Sequence, residues 1–401
     1  MSILTYVNTK IVAHLLKATS PTLDFHEGPL GKLPLIVSEE TPNDNSVKIS
    51  QDLIHLSKSD WDAYETSWDF NTLPLLHSVF RQTTLKVTYA KLRDHWHSMT
   101  YDTKRLEEEN NRSFIEIYSL QNELTPEIPL NEVTLSCNPH FRYSNNKTED
   151  ELEALLLADT MREFISYAVG CMFGRYSLDK PGLILANQGE TIEDYRQQIP
   201  NPTFPADTDN VIPMLDGDWF PDDISERFRK FLRVTFGEEH YDTNLKFIEK
   251  ALGKDIRKYF LRDFYNDHVR RYKKRPIYWL FSSSKGTFNA LIYMHRYRPD
   301  TVSVVLNDYL REFRTKLVAH RSHLEQVSIS TAASAAERTK ALKEIENLRK
   351  AIDELESYER EVLYPLATEQ IEIDLDDGVK VNYGKFGAAL KKIPGLDVVE
   401  D

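Results

Sequence analysis

The stretch Lys254–Arg298, KDIRKYFLRDFYNDHVRRYKKRPIYWLFSSSKGTFNALIYMHRYR, changes its periodicity part-way. Its first part closes a helix predicted over Asn244 to Val269. Pro276 to Phe281 and Thr287 to Tyr297 then read as strands joined by a turn at Ser282 to Gly286. A helix feeding a short hairpin, with helical patterns on both sides, sets the fold class as mainly α (α+β).

Upstream, helical spacing is predicted for Ile3 to Leu16, Leu85 to Leu120, Glu149 to Phe173 and Ile224 to Phe236, with Asp60 as an N-cap. Thr19, Ser20 and Pro21 stop the first helix, and Thr22 to Val37 reads as extended. Glu39 to Ser46 is polar enough for a linker. Pro181 to Pro221 holds six of the 18 prolines and reads as a long surface connection. Downstream, Thr301 to His323 is helical, and Ala333 to Val362 has the spacing of a helical hairpin arm or coiled coil. Pro365 is expected to end that arm, before a tail with one strand at Ile371 to Leu375. The implied segments are 1–45, 46–200, 201–330, 331–365 and 366–401; the third is the basic α/β region.

Composition narrows the function classes. At 401 residues with 41% hydrophobic content, the chain can bury more than one core. No apolar run approaches the roughly 18 residues that a membrane span needs, and Met1 to Lys17 lacks the features of a signal peptide. Cys137 and Cys171 form no pairing pattern, which suits buried packing in a reducing cytoplasm. Net charge is −13, yet the quoted stretch carries twelve Lys or Arg against three Asp. The charge is strongly polarised along the chain.

Most catalytic signatures are missing. Only 14 glycines occur, half the usual share of roughly 7%. They make neither a dinucleotide fingerprint nor a phosphate-binding P-loop. The nearest cluster, Gly170 to Gly174, has the spacing of close helix packing. His95/His97 and His320/His323 lack companions at zinc-ligand spacing, so no metal site is expected. Asn138-Pro139-His140-Phe141 approaches the Asn-Pro-Pro-Tyr of amino-methyltransferases, but His replaces the second proline and a structural turn accounts for it better. Asp300 with Glu312 superficially suggests a metal-dependent nuclease, without the usual lysine. No residue is assigned as catalytic or cofactor-binding.

The basic segment remains. Arg257, Lys258, Arg262, Arg270, Arg271, Lys273, Lys274 and Arg275 alternate with Tyr259, Phe260, Phe264, Tyr265, Tyr272, Tyr278 and Trp279. Cations neutralise phosphates and aromatics stack on or wedge beside bases. Ser283, Ser284 and Lys285 add hydroxyl and amide donors at the turn, and Arg296 follows on the second strand. These twelve basic and turn residues form the expected DNA contact. The competing reading is a solvated basic helix packed against the acidic remainder.

Several stretches resemble a known family. Asn8-Thr9-Lys10-Ile11-Val12, Ser20 to Phe25 and Gly31 to Pro34 resemble a segment of large adenine-N6 DNA methyltransferases, where it follows the catalytic domain and closes target recognition. Thr9 and Asp24 depart from its usual Asn-Ser-Lys and Pro-Thr-x-Asn-Phe. Arg275 to Gly286 and Tyr293 to Tyr297 are similar to the C-terminal half of such enzymes. Ser67 to Phe70, Glu107 to Arg112, Tyr167 to Lys180 and Asp374 to Tyr383 look most like the PglX methyltransferases of bacteriophage exclusion (BREX) systems.

The resemblance implies a C-terminal recognition and scaffolding part. S-adenosylmethionine would then bind upstream of this chain, together with Asn-Pro-Pro-Tyr. Duplex DNA and either a methyltransferase catalytic half or other defence-system subunits are the expected partners, with no membrane. A non-enzymatic regulator of the defence system is the alternative.

Overall fold

The computed structural model describes residues 3–19, 27–36, 44–143 and 146–396, and they are mainly α-helical with a small sheet. Of the extended reading over Thr22 to Val37, Thr22 to His26 and Val37 lie outside the described residues. Glu27–Gly31 is a short helix and not extended backbone, its Pro29 falling in the first turn where no ladder N–H is needed. Of the Glu39 to Ser46 linker, 39–43 lie outside the described residues and Asp44 already opens a helix. The chain forms two compact units, 1–159 and 160–401.

In the first unit, the opening helical pattern is two helices, Ile3–Val7 and α1 (Lys10–Thr19), because Asn8 and Thr9 turn the chain between them. Helix α2 (Asp44–Trp61) and the long α3 (Leu85–Ile117) follow. Thr84 caps α3 by accepting the Val87 N–H. Tyr6, Ile11, Val12 and Leu16 bury against Phe114 and Ile115 near its far end. Two buried amides of the Glu107 to Arg112 stretch fasten this layer. Asn111 Oδ1 accepts the Lys10 N–H at 2.9 Å, and Asn110 Nδ2 donates to the Thr5 carbonyl at 3.0 Å. Asp60 is not an N-cap. It lies at the end of α2, and its buried carboxylate accepts the amides of Ser136 (2.6 Å) and Cys137 (2.9 Å).

Helix α4 (Glu149–Met172) carries the division between the units. In the second unit, Phe164 on α4 packs on Phe228 and Phe231 of α5 (Ile224–Phe236). The predicted Asn244 to Val269 helix is broken: α6 (Tyr241–Leu252) ends at Gly253, whose φ is +69°. Asp255 then caps a new start by accepting the Lys258 amide at 3.0 Å. That helix passes through a π-helical turn, Phe260–Phe264, into α7 (Tyr265–Arg271).

The hairpin is present as β2 (Tyr278–Ser282) and β3 (Asn289–Tyr293), antiparallel with Leu280 opposite Leu291. The proline-rich run supplies a third strand, β1 (Ile212–Pro213), on the far side of β3. It is therefore not a surface connection. Tyr195, Phe204, Val211 and Leu215 are buried, and apolar side chains between prolines override the loop signal. Asn210 continues the pairing with its side chain, donating to the Tyr293 carbonyl and accepting the Tyr293 amide.

Thr301 to His323 is helical and ends in α8 (Arg311–Ile329), which pairs with α9 (Ala335–Tyr358) as the expected helical hairpin. Pro365 does not end the arm. A π-helical turn at Glu359–Leu363 precedes it, and helix resumes over Tyr364–Glu369, where a proline in the first turn has no ladder bond to lose. Ile371 to Leu375 is not a strand: its backbone pairs with no strand, and the Ile371 carbonyl accepts the Tyr297 hydroxyl instead.

Candidate nucleic-acid interface

The basic segment splits by burial. Tyr259, Phe260, Phe264, Tyr265, Tyr278 and Trp279 are core side chains. They are not available to stack on bases, since their alternation with cations is the inner face of a helix and strand. Two cations are also internal. Arg257 donates to the carbonyls of Leu215 (2.9 Å) and Gly217 (2.8 Å) and pairs with Asp223 and Asp218. Arg296 is 5% exposed and holds the carbonyls of Phe173, Asp207 and Thr208. Both work as structural ties, and neither is placed to meet a phosphate. Arg271 is half-buried.

The other cations face outward. Lys258, Arg262 and Arg270 are exposed at four- and eight-residue spacing along one helical stripe. Lys258 pairs with Asp255 at 2.8 Å, and Arg270 stands 3.7 Å from Asp267. Beyond α7, Lys273, Lys274 and Arg275 form an exposed turn. Lys273 (φ +50°) and Lys274 (φ +63°) both occupy the left-handed region that L side chains avoid. Their amides close the helix end on Arg270 and Val269. A strained, fully cationic tip is thus held by the helix before it and the strand after it.

A groove of about 1090 Å³ opens beside this tip. Ser282 to Gly286 form one wall and Tyr383 to Leu396 the other, with Leu261 also lining it. Sequence reasoning missed two of its cations, Lys391 and Lys392. Their backbone runs along the free edge of β2: Leu390 bridges Phe281, and the Lys391 amide donates to Leu280 at 2.8 Å. The Tyr383 hydroxyl donates to the Lys391 carbonyl and the Tyr358 hydroxyl to the Ala389 carbonyl. Lys274 closes on this wall too, since its Nζ lies 2.8 Å from where a Cβ on Gly395 would sit. The adjacent lysines before Pro394-Gly395 were the available signal.

The serine turn holds an anion of its own. Ser283 is buried and its Oγ accepts the Phe288 amide. Lys285 N–H donates to Glu354 at 2.6 Å, with the hydroxyls of Thr287 and Ser284 also directed at that carboxylate. The Lys285 side chain itself is exposed.

Other candidates have structural roles. Asn138 caps the short helix Pro139–Arg142 and donates to the Leu130 and Val133 carbonyls, so its amide is committed to the fold. Asp300 pairs with Arg298 and Glu312 with Lys316. His95 packs on Phe80, and His320 meets Glu344. Among the described residues no group of three His, Cys, Asp or Glu side chains is arranged to hold a metal, and no helix is long and apolar enough to cross a membrane. Both cysteines are buried.

Comparison with known proteins decides the family. No family model matches the chain. It is 35% identical over 98% of its residues to the adenine-specific methyltransferase BrxX of Escherichia coli O9:H4 (strain HS). It is 36% identical over the same share to the adenine-specific methyltransferase PglX of Lacticaseibacillus casei (strain Zhang). This chain belongs to the BrxX and PglX family. It spans about a third of the length of those relatives, 33% and 32%.

The family implies S-adenosylmethionine, and the Gly170 to Gly174 cluster does not fit it. A Cβ on Gly170 would lie 2.5 Å from the Tyr176 ring, and Gly174 is enclosed by Leu185, Tyr195 and Ala206. Both glycines serve packing, so this cluster offers no open backbone to a cofactor.

Proposed function

We propose that this chain is the DNA-recognition and scaffolding part of an adenine-N6 methyltransferase of phage defence, C-terminal to the catalytic core. In this reading S-adenosylmethionine and the base-clamping Asn-Pro-Pro-Tyr belong to that core, and the chain contributes contacts to duplex DNA. The supporting observation is the left-handed Lys273-Lys274-Arg275 turn beside the lysine-lined groove. Phosphate contacts of this kind fix orientation on a duplex and carry no sequence information, so target choice rests on other residues. Arg262, Arg270, Lys285, Lys391 and Lys392 extend the proposed surface; Arg257 and Arg296 are left out of it.

The test is duplex binding by this chain as a function of salt. Neutralising Z phosphates gives a log–log slope near −0.9Z. Replacing Lys273, Lys274 and Arg275 together with alanine is expected to lower that slope by about three contacts' worth and weaken all duplexes alike. Binding that ignores salt, or that survives the triple replacement unchanged, overturns the assignment. Adenine methylation by a catalytic-core segment, restored on adding this chain, tests the scaffolding half of the proposal.

A further inference from the structure

The turn between β2 and β3 has the parts of a phosphate site, but a carboxylate occupies it. Gly286, at φ +73°, lets the chain fold back so that its amide closes on the Ser283 carbonyl at 2.8 Å. This leaves the Lys285 N–H and the Thr287 and Ser284 hydroxyls converging on one point. Glu354 of α9 fills that point, its two oxygens divided between Lys285 N–H (2.6 Å) and Ser284 on one side and Thr287 on the other. Glu354 is 8% exposed, and none of the ion pairs among the described residues involves it, Lys350 one turn away pairing with Glu346 instead. The cradle therefore meets this carboxylate with neutral donors only. The nearby ammonium groups of Lys285 and Lys350 line the adjoining groove without engaging the carboxylate.

Carboxylate and phosphate oxygens accept the same kind of hydrogen bond, and a phosphate brings more acceptors and more charge. Lys285, Ser284 and Gly286 also line the large groove with Lys391 and Lys392, so a phosphate reaching the cradle from there would gain the cations that Glu354 lacks. Resting on the DNA reading above, we infer that the Ser284–Thr287 turn is a DNA-phosphate site which Glu354 occupies in the free chain. Phosphate and Glu354 compete for the same donors. Seating DNA there releases the hold of α9 on the hairpin, which couples DNA contact to the arm.

Duplex binding is compared for the unmodified chain, Glu354→Gln and Glu356→Gln. Glu356 is exposed on the same helix, so its variant carries the same change in net charge without touching the cradle. Glu354→Gln should bind about tenfold tighter with a salt slope steeper by about one contact, while Glu356→Gln changes affinity by less than about twofold. Equal behaviour of the two variants overturns the cradle.

A melting scan with inorganic pyrophosphate separates this claim from the DNA reading. Pyrophosphate should raise the melting temperature of Glu354→Gln by clearly more than that of Glu356→Gln, where Glu354 still competes, even if no variant binds duplex; in that case the DNA assignment fails and the anion site stands. No pyrophosphate effect on Glu354→Gln overturns the site. Should Glu354→Gln fail to fold, the Lys285 amide resonance of the unmodified chain supplies the measurement. Pyrophosphate that displaces Glu354 shifts it, and an unshifted resonance at saturation overturns the proposal.

Discussion

His268 on α7 accepts the Tyr278 amide at the start of β2, Nε2 to N 3.1 Å, and takes the Ile277 amide at 3.2 Å on the same nitrogen. A ring nitrogen receiving two N–H groups carries no proton, so this imidazole is neutral with its proton on Nδ1. Burial pushes its pKa well below the usual histidine range, and the charges of Arg271 and Arg175 add to that. His295 is pushed down to about 4, by burial first and then by Arg175. Both folded-state values lie below the unfolded one, so their contribution is intact above pH 6.5 and is lost as pH falls toward 4. Burial pushes the Asp207 carboxyl of the same unit up to about 7, which acts with the opposite sign as pH falls. The histidine contribution, on the order of 2 kcal/mol between pH 7.5 and pH 4.5, is therefore read as the difference in pH dependence between the natural chain and a His268 variant. Urea unfolding at those two pH values checks this. His268→Gln, which can still accept one amide, should cost about 1–3 kcal/mol at pH 7.5 and flatten the pH dependence. The same pH dependence in the natural chain and in His268→Gln would count against a buried neutral imidazole at this position.

The first unit should respond to pH with the opposite sign. Burial, and then the Glu132 carboxylate, push Glu107 up to about 7. An acid with a raised folded-state pKa contributes stability that is whole below its unfolded value near 4.5 and lost as pH rises through 7. Glu107→Gln keeps the shape and removes the ionisation. At pH 8 the variant should be more stable than the natural chain by on the order of 2 kcal/mol, discounted for partial solvent access, and near parity at pH 5. Amide exchange read on α3 reports this unit specifically. A variant no more stable at pH 8 than at pH 5, relative to the natural chain, refutes it.

These groups also show what the sequence could and could not disclose. Helix Ile224–Phe236 and the hairpin were readable because period and turn chemistry agreed there. The Pro181 to Pro221 run misled because proline density reports backbone punctuation and says nothing about whether Tyr195, Phe204 and Val211 face a core. The basic segment was legible as charge but not as geometry. Whether Arg257 meets solvent depends on Asp218 and Asp223, which lie more than thirty residues upstream. The occupation of the serine turn by Glu354 was equally hidden, since about seventy residues separate the two. Lys391 and Lys392 were passed over because a short tail gives no period by which to place it against a strand edge.

Gly170 offers a stability test that is free of charge effects. An added Cβ would sit 2.5 Å from Cδ2 and 2.9 Å from Cε2 of Tyr176, whose ring stacks on Tyr167 at 5.1 Å and cannot withdraw without unstacking. Gly170→Ala should cost about 1–3 kcal/mol despite the better helix propensity of alanine. An alanine variant as stable as the natural chain in urea would mean that this helix and the Tyr176 loop have slack that the structure does not show.

The Lys273-Lys274 tip separates strain from charge. Both residues sit at positive φ, where an L side chain costs about 1–2 kcal/mol and glycine costs little. Alanine at both positions removes two cations and keeps the strain; glycine at both removes the cations and relieves it. The double-glycine chain should therefore exceed the double-alanine chain in stability by about 1 kcal/mol or more, even after the extra freedom of glycine in the unfolded state is subtracted. Under the proposed function the two should bind duplex DNA equally weakly, each with a salt slope reduced by about two contacts. If glycine brings no gain over alanine, the tip is not strained. Equal stability with unequal DNA binding would instead mean that the shape of the turn contributes to recognition beyond its charge. The measurements are urea unfolding of both variants and duplex titrations across a range of salt concentrations.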